Sequence, residues 1–194
     1  LARAAIRAGF HDAAAWDLSS TFGGADGSLF LSSDEITRPE NNGLQTWRTT
    51  LLSLLSKYSQ YGVGAADLAQ FAHNAAVVIC PLGPRTLTYV GRDSSSKANE
   101  PNLLPNTTSS SDVLISLFQN KTTSFVDLIA LIGAHTTANQ FFVDPTKAGQ
   151  PLDSTPGIWD VLFYQQVLNG APPPYVFSSC RIQNFSKLHH SLTK

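Results

Sequence analysis

Arg7 and His11 stand four residues apart in the run Arg7-Ala-Gly-Phe10-His11-Asp12. On a helix of about 3.6 residues per turn, that spacing points both side chains the same way. A neutral imidazole there can take the proton from one oxygen of a peroxide and return it to the other. The guanidinium stabilises the negative charge that develops on the departing oxygen. The pair therefore suits heterolysis of an O–O bond. An Arg and a His at this spacing also occur as a plain surface pair, so other segments must decide between the two readings.

The elements that would position such chemistry are mostly helical. Leu1 to about Trp16 is rich in Ala, Leu and Arg with apolar residues at helical spacing, and it predicts a helix that carries Arg7, Phe10 and His11 on one face. Residues 18–42 are dominated by Gly, Ser, Asp and Pro and predict a long loop, a place to look for ligands. Helices follow over Gly43 to about Tyr61 and over Ala65–Ile79, the second closed by Cys80-Pro-Leu-Gly-Pro84. Residues 85–110 read as irregular, with one strand-like run at Leu87–Val90. A short helix is expected over Asp112–Phe118. Ser124 with Asp127 has the pattern of a capping box that opens an apolar helix running to His135. A loop over Val143–Thr155 and a last helix over Gly157–Leu168 precede Pro172-Pro-Pro174. No internal repeat is visible.

Composition narrows the function classes. The chain has 194 residues, 42% of them hydrophobic and 14% charged, enough to bury a core as one domain or one domain with a small lobe. A formal net charge of −1 and the absence of any basic run argue against a nucleic-acid partner. No apolar stretch approaches the roughly 18 residues a spanning helix needs, so no membrane partner is expected. The chain holds no Met and enters a helical pattern at once, so the natural start is expected upstream of Leu1, and both ends are treated as incomplete. Sequons at Asn106, Asn120 and Asn184 would carry N-glycans if the chain is secreted, and three of them favour an extracellular location. Cys80 and Cys180 allow one bridge, or two bridges to segments beyond those given.

In order along the chain, several segments together resemble the plant, fungal and bacterial haem peroxidase superfamily, and most closely its secreted fungal branch. They are Arg7, Phe10, His11 and Asp12; Gly23-Gly-Ala-Asp26-Gly-Ser28; Asn41-Asn-Gly-Leu44; Leu131-Ile-Gly-Ala-His135-Thr136; and Asp153-Ser-Thr155-Pro-Gly-Ile158-Trp-Asp160. The resemblance implies a mostly α fold, the haem peroxidase helical fold with long ordered loops, in which haem lies between a distal and a proximal helix. It implies a single domain over 1–194, with a distal half over about 1–110 and a proximal half over about 111–194.

The resemblance also assigns roles. His11 is the general acid and base, Arg7 the charge stabiliser and Phe10 their neighbour in the distal motif. Asn41 accepts a hydrogen bond from His11 and holds it in the tautomer whose free nitrogen faces the peroxide, with Glu35 tying Asn41 to its loop. His135 becomes the axial ligand of haem iron; alone, it would read as a helix C-terminal cap. Asp12, Gly24, Asp26 and Ser28 form a distal calcium site, and Thr136, Asp153, Thr155, the Ile158 carbonyl and Asp160 a proximal one, since a hard cation takes carboxylate, carbonyl and hydroxyl oxygens. Haem b and two Ca²⁺ are the implied cofactors. Hydrogen peroxide and a small reducing substrate are the implied partners of a monomer. His73 and the His189-His190 pair read as structural or surface residues.

The pattern breaks in two places. The family's buried aspartate, which hydrogen-bonds the iron-bound histidine, has no counterpart after Asp160; Cys180 stands where it is expected, which implies a raised haem reduction potential. Manganese-oxidising relatives carry acids where this chain has Ala4 and Phe141, the relay tryptophan of lignin peroxidases falls at Ala130, and the tryptophan of some intracellular relatives falls at Leu152. What remains is a peroxidase acting on small phenols or similar donors at the haem edge. The rival reading is a secreted calcium- and haem-binding scaffold whose turnover is weakened. The family also pairs the cysteine at the place of Cys80 with one upstream of the distal helix.

Overall fold

The computed structural model describes residues 1–170, which divide into two compact units. The first comprises Leu1–Ile79 and Pro84–Leu104; the second comprises Cys80–Gly83 and the chain from Pro105 onward. Among the described residues the fold is mostly helical, and its one β-bridge, Asn139 with Pro151, stands alone.

In the first unit α1 spans Ala2–Ala13, α2 Ser28–Leu31, α3 Gln45–Tyr58 and α4 Ala65–Ile79. Alanine favours helix because it loses no side-chain entropy, and here it also thins the surface between helices. α1 packs chiefly on α4, and the buried residues of the two include Ala5, Ala8, Gly9, Ala65, Ala66 and Ala69. The bulk of the core comes from Leu29 and Phe30 on α2, Leu44, and Trp47 and Leu51 on α3, all buried. Each fully buried side chain of this size contributes about 1.5–3 kcal/mol. α3 is tied to α2 as well, since Arg48 donates from Nε to the Phe30 carbonyl at 2.7 Å.

Residues 18–42 are a loop with structure of its own: α2 and two 3-10 turns, Glu35–Thr37 and Pro39–Asn41, fold it into the unit. The Gly and Pro content that predicts a loop conceals these one-turn elements. The Leu87–Val90 run forms no strand; Leu87, Tyr89 and Val90 are exposed. Side chains hold the segment around it instead. Asp67 accepts from the Gly91 and Arg92 amides at 2.7 and 3.2 Å, and Ser94 Oγ accepts from the Ala66 amide at 3.1 Å.

In the second unit α5 spans Ser111–Gln119, α6 Phe125–Ile132 and α7 Leu162–Leu168. The capping box is present: Ser124 Oγ accepts from the Asp127 amide at 3.1 Å, and the Asp127 carboxylate accepts from the Ser124 amide at 3.2 Å. α6 ends earlier than the sequence pattern predicts. His135 lies in a 3-10 turn, Gly133–Thr137, rather than in the α-helix. The last helix is shorter than expected too, because Asp160 Oδ1 accepts from the Leu162 amide at 2.8 Å and the preceding residues are held in another loop. Cys80–Gly83 joins this unit through the Trp159 amide, which donates to the Pro81 carbonyl at 2.8 Å. No helix of the described residues is long and apolar enough to cross a membrane. Cys180, Asn184, His189 and His190 lie outside the described residues, and with them the readings placed on Cys180 and the tail.

At Gly9, α4 comes close against α1. A Cβ added there would stand 2.5 Å from His73 Cβ, and His73 Nδ1 already bonds the Ile6 carbonyl at 2.7 Å. His73 is thus structural. Because the obstructing atom is next to the backbone, it cannot swing away. Gly9→Ala should lower stability by about 1–3 kcal/mol from overpacking, outweighing the gain of at most about 1 kcal/mol from helix propensity. A lower urea midpoint checks this, and an equal or higher one refutes it.

Candidate functional site

The first unit assembles a chain of hydrogen bonds around His11. α1 places Arg7 and His11 one turn apart, and Arg7 Nε donates to His11 Nε2 at 3.2 Å. On the other side of the ring, His11 Nδ1 lies 2.8 Å from Asn41 Oδ1. The amide of Asn41 cannot be flipped, because its Nδ2 donates to the Glu35 carbonyl at 2.7 Å. A carbonyl only accepts, so Oδ1 must face His11, Nδ1 must carry the ring proton, and Nε2 is left as a base. Asn41 is buried. Glu35 therefore ties Asn41 down through its backbone. Its carboxylate, also buried, accepts from the Asn99 amide at 2.9 Å.

The electrostatics keep His11 neutral. Burial, and then the Arg7 charge, push its pKa down to about 4, against the opposing effect of Asn41. Arg7 is held by its remaining nitrogens: Nη1 donates to the Asn42 carbonyl and Nη2 to the Glu40 carbonyl, both at 2.7 Å. Two of its five N–H groups remain for another acceptor. Phe10 meets the His11 ring edge to face, with centroids 5.9 Å apart.

Directly after His11, Asp12 turns inward and is fully buried. Its carboxylate accepts from the Gly27 amide at 3.0 Å and the Leu29 amide at 3.3 Å. Desolvation, reinforced by the Asp26 and Glu35 charges, raises its pKa to about 7. Asp26 accepts from the Ser28 amide at 3.0 Å, and the Gly24 carbonyl accepts from the Asp26 amide at 2.8 Å. Ser28 Oγ is buried beside the Glu35 carboxylate, which it reaches only outside ideal hydrogen-bond geometry. A poorly satisfied hydroxyl among carboxylates that repel each other is what a hard cation would satisfy, so these residues fit calcium.

The second unit repeats the motif beside His135. Thr136 is fully buried; its Oγ1 lies 2.6 Å from Asp153 Oδ2, 3.2 Å from Asp160 Oδ1 and 3.3 Å from the Ile158 carbonyl. Thr155 Oγ1 donates to Asp160 Oδ2 at 2.9 Å. The Thr136 hydroxyl has one proton and three acceptor oxygens around it. That surplus of lone pairs fits a cation as well. Among the described residues no three His, Cys, Asp or Glu side chains gather as a metal site. Neither cluster needs them, since hydroxyl and carbonyl oxygens complete a calcium shell.

His135 itself is exposed, and its Nδ1 lies 2.8 Å from the Ile132 carbonyl. The same reasoning as for His11 puts the proton on Nδ1 and leaves Nε2 bare toward a ligand. Such an imidazole fits an axial iron ligand. The ring stacks on Phe163, with centroids 5.3 Å apart and planes 21° from parallel. Sequence reasoning did not single out Phe163 or the Ile132 carbonyl. Spacing from the 3-10 turn was the only available signal, and α-helical periodicity masked it.

The peroxidase family model matches residues 1–185. Among similar proteins, a low-redox potential peroxidase of Taiwanofungus camphoratus is 36% identical over 166 residues, 82% of this chain and 49% of that protein. A peroxidase of Arthromyces ramosus is 32% identical over 180 residues, 89% of this chain and 49% of that protein. Manganese peroxidase H4 of Phanerodontia chrysosporium is 33% identical over 168 residues, 84% and 44% respectively. The chain thus spans about half the length of these relatives. Haem is the cofactor the family implies and hydrogen peroxide its substrate. With its motifs matched in order over most of its length, the chain belongs to the haem peroxidase family.

Proposed function

We propose that this protein is a haem-dependent peroxidase that reduces hydrogen peroxide and oxidises small phenolic or similar organic donors at the haem edge. The observation that carries the reading is the fixed tautomer of His11: Nδ1 held by Asn41 and Nε2 left as a neutral base beside Arg7. Haem b, whose iron His135 Nε2 would hold, would supply the redox centre and the electrons that cleavage of the O–O bond requires. His11 Nε2 would exchange the hydrogen bond it accepts from Arg7 Nε for one from peroxide, take the proton from one peroxide oxygen and give it to the other. Arg7 offers its free N–H groups to the departing oxygen as negative charge builds there. Phe10 covers one side of the His11 ring with an apolar surface.

Two calcium ions would be held by Asp12, Gly24, Asp26 and Ser28, and by Thr136, Asp153, Thr155, Ile158 and Asp160. Each cluster adjoins a histidine in sequence, so each ion would fix that histidine's backbone. Ala4 and Phe141 offer no carboxylate where manganese-oxidising relatives carry acids, which favours organic donors over manganese. A secreted, extracellular protein fits the sequons; Asn106 and Asn120 are exposed, and Asn184 lies outside the described residues. One observation favours the rival scaffold reading: His135 Nδ1 meets a neutral carbonyl rather than a carboxylate, which leaves the imidazole a weaker donor.

Peroxide-dependent phenol oxidation, run beside the absorbance spectrum, separates the two readings. The peroxidase shows a Soret band and turnover; the scaffold shows the band alone. His11→Leu should cut the peroxide rate constant by about 10²–10⁴-fold, the usual worth of general acid–base catalysis, and unchanged turnover would remove His11 from the mechanism. Because the base must be neutral, the wild-type rate should fall as pH drops through about 4.

Calcium binding should be pH-linked. Asp12 holds its proton up to about pH 7 without a cation and must release it to bind one. Apparent Ca²⁺ affinity, read by calorimetry, should therefore rise from pH 5.5 to about 7 and then level off, and Asp12→Asn should abolish that rise. Affinity that does not change with pH would count against Asp12 as a ligand.

A further inference from the structure

Helix α6 tightens just before His135. The Gly133 amide bonds the Ala130 carbonyl, three residues back, so the Ile129 carbonyl loses the partner it would have in an α-helix. Tyr164 takes its place, its hydroxyl donating to the Ile129 carbonyl. Gly133 leaves the room for this: an added Cβ would lie 3.2 Å from the Tyr164 hydroxyl. Burial raises the Tyr164 pKa to about 12, so the phenol remains a donor throughout the working range. The residue before it, Phe163, is buried and stacks on the His135 ring. One turn of α7 thus stabilises both the tightened turn and the imidazole that the turn presents.

We propose that Ile132, Phe163 and Tyr164 are positioning residues for His135: the Ile132 carbonyl sets its tautomer, Phe163 its ring rotation, and Tyr164 the 3-10 turn that brings the two together. The inference rests on the reading of His135 as the iron ligand and says how that ligand is prepared. A three-residue separation is essential to it. In a 3-10 turn residues i and i+3 eclipse, so the Ile132 carbonyl comes within 2.8 Å of Nδ1. The carbonyl cannot donate, which forces the proton onto Nδ1 and leaves the Nε2 lone pair free. Phe163 then restricts rotation about the Cβ–Cγ bond, since any large turn of the imidazole would break the stack. A ligand prepared in this way binds iron without first losing torsional freedom or exchanging a proton.

The test uses the full chain with ¹⁵N-labelled histidine rings, free of haem, at pH 7.5. Long-range proton–nitrogen correlation reads the tautomer, and comparison with His135→Gln identifies the His135 signals among the five histidines. The wild type should show one dominant form, protonated at Nδ1. Tyr164→Phe and Phe163→Leu should each show mixing of the second form, whereas Phe163→Tyr, which keeps the stack, should retain the wild-type pattern. If Phe163→Leu fails to fold, Tyr164→Phe decides, since it removes a single hydroxyl. A wild-type ring protonated at Nε2, or variants with the wild-type pattern, would overturn the proposal. In a haem titration Tyr164→Phe should bind about tenfold more weakly, the lower end of the usual cost of losing an outer partner; equal binding would overturn it too. If His135→Gln binds haem as the wild type does, the axial-ligand reading fails, while the tautomer result stands or falls separately.

Discussion

Asn41 is an amide with donors on one side and an acceptor on the other, and the order in which they are presented controls the base. Its Nδ2 is committed to the Glu35 carbonyl, so its oxygen is committed to His11. Burial makes the commitment firm, because an unsatisfied amide inside a protein costs about 1–3 kcal/mol. The constraint then extends outward. Glu35 is held by the Asn99 amide, and the segment carrying Asn99 is tied to the start of α4 by Asp67 and Ser94. α1 brings Arg7 and His11 together, but the loops beyond it determine which nitrogen of His11 is unprotonated.

Both units also concentrate oxygen atoms away from water. Asp12, Glu35 and Ser28 are buried together in one, Thr136 and Asp153 in the other. Burying carboxylates opposes folding, chiefly through desolvation with like charges adding to it, and the raised pKa of Asp12 expresses that opposition. Placing a cation in each cluster reverses the sign of the interaction. Since each cluster begins at the residue after a histidine, the contacts with such a cation would also fix the backbone on which the histidine rides.

A good part of this was legible in the residues. The i, i+4 spacing of Arg7 and His11 put them on one face, and they are in direct contact. The capping box at Ser124 and Asp127 is present as its pattern required, and α4 spans Ala65–Ile79 as its periodicity required. Local rules sufficed for these because each depends on neighbours within about one turn. They failed for the loop over residues 18–42, where Gly and Pro conceal a four-residue helix and two 3-10 turns. They failed again at the end of α6, where the apolar pattern runs on toward His135 although the backbone has already tightened.

Sequence by itself determined which groups are available: a base and a cation on one helix face, an amide and two oxygen-rich loops, and a second histidine after an apolar helix. Hydrogen-bond chemistry and helical geometry make those choices local. Tertiary structure alone decided how each group is presented. The tautomer of His11 depends on a carbonyl 24 residues away, and the close approach at Gly9 on a histidine of another helix. The setting of His135 depends on two aromatic side chains of α7 and on a carbonyl that only a 3-10 turn brings within reach. Those contacts join segments distant in sequence, and their energies come from burial and satisfied polar groups, which no local pattern records.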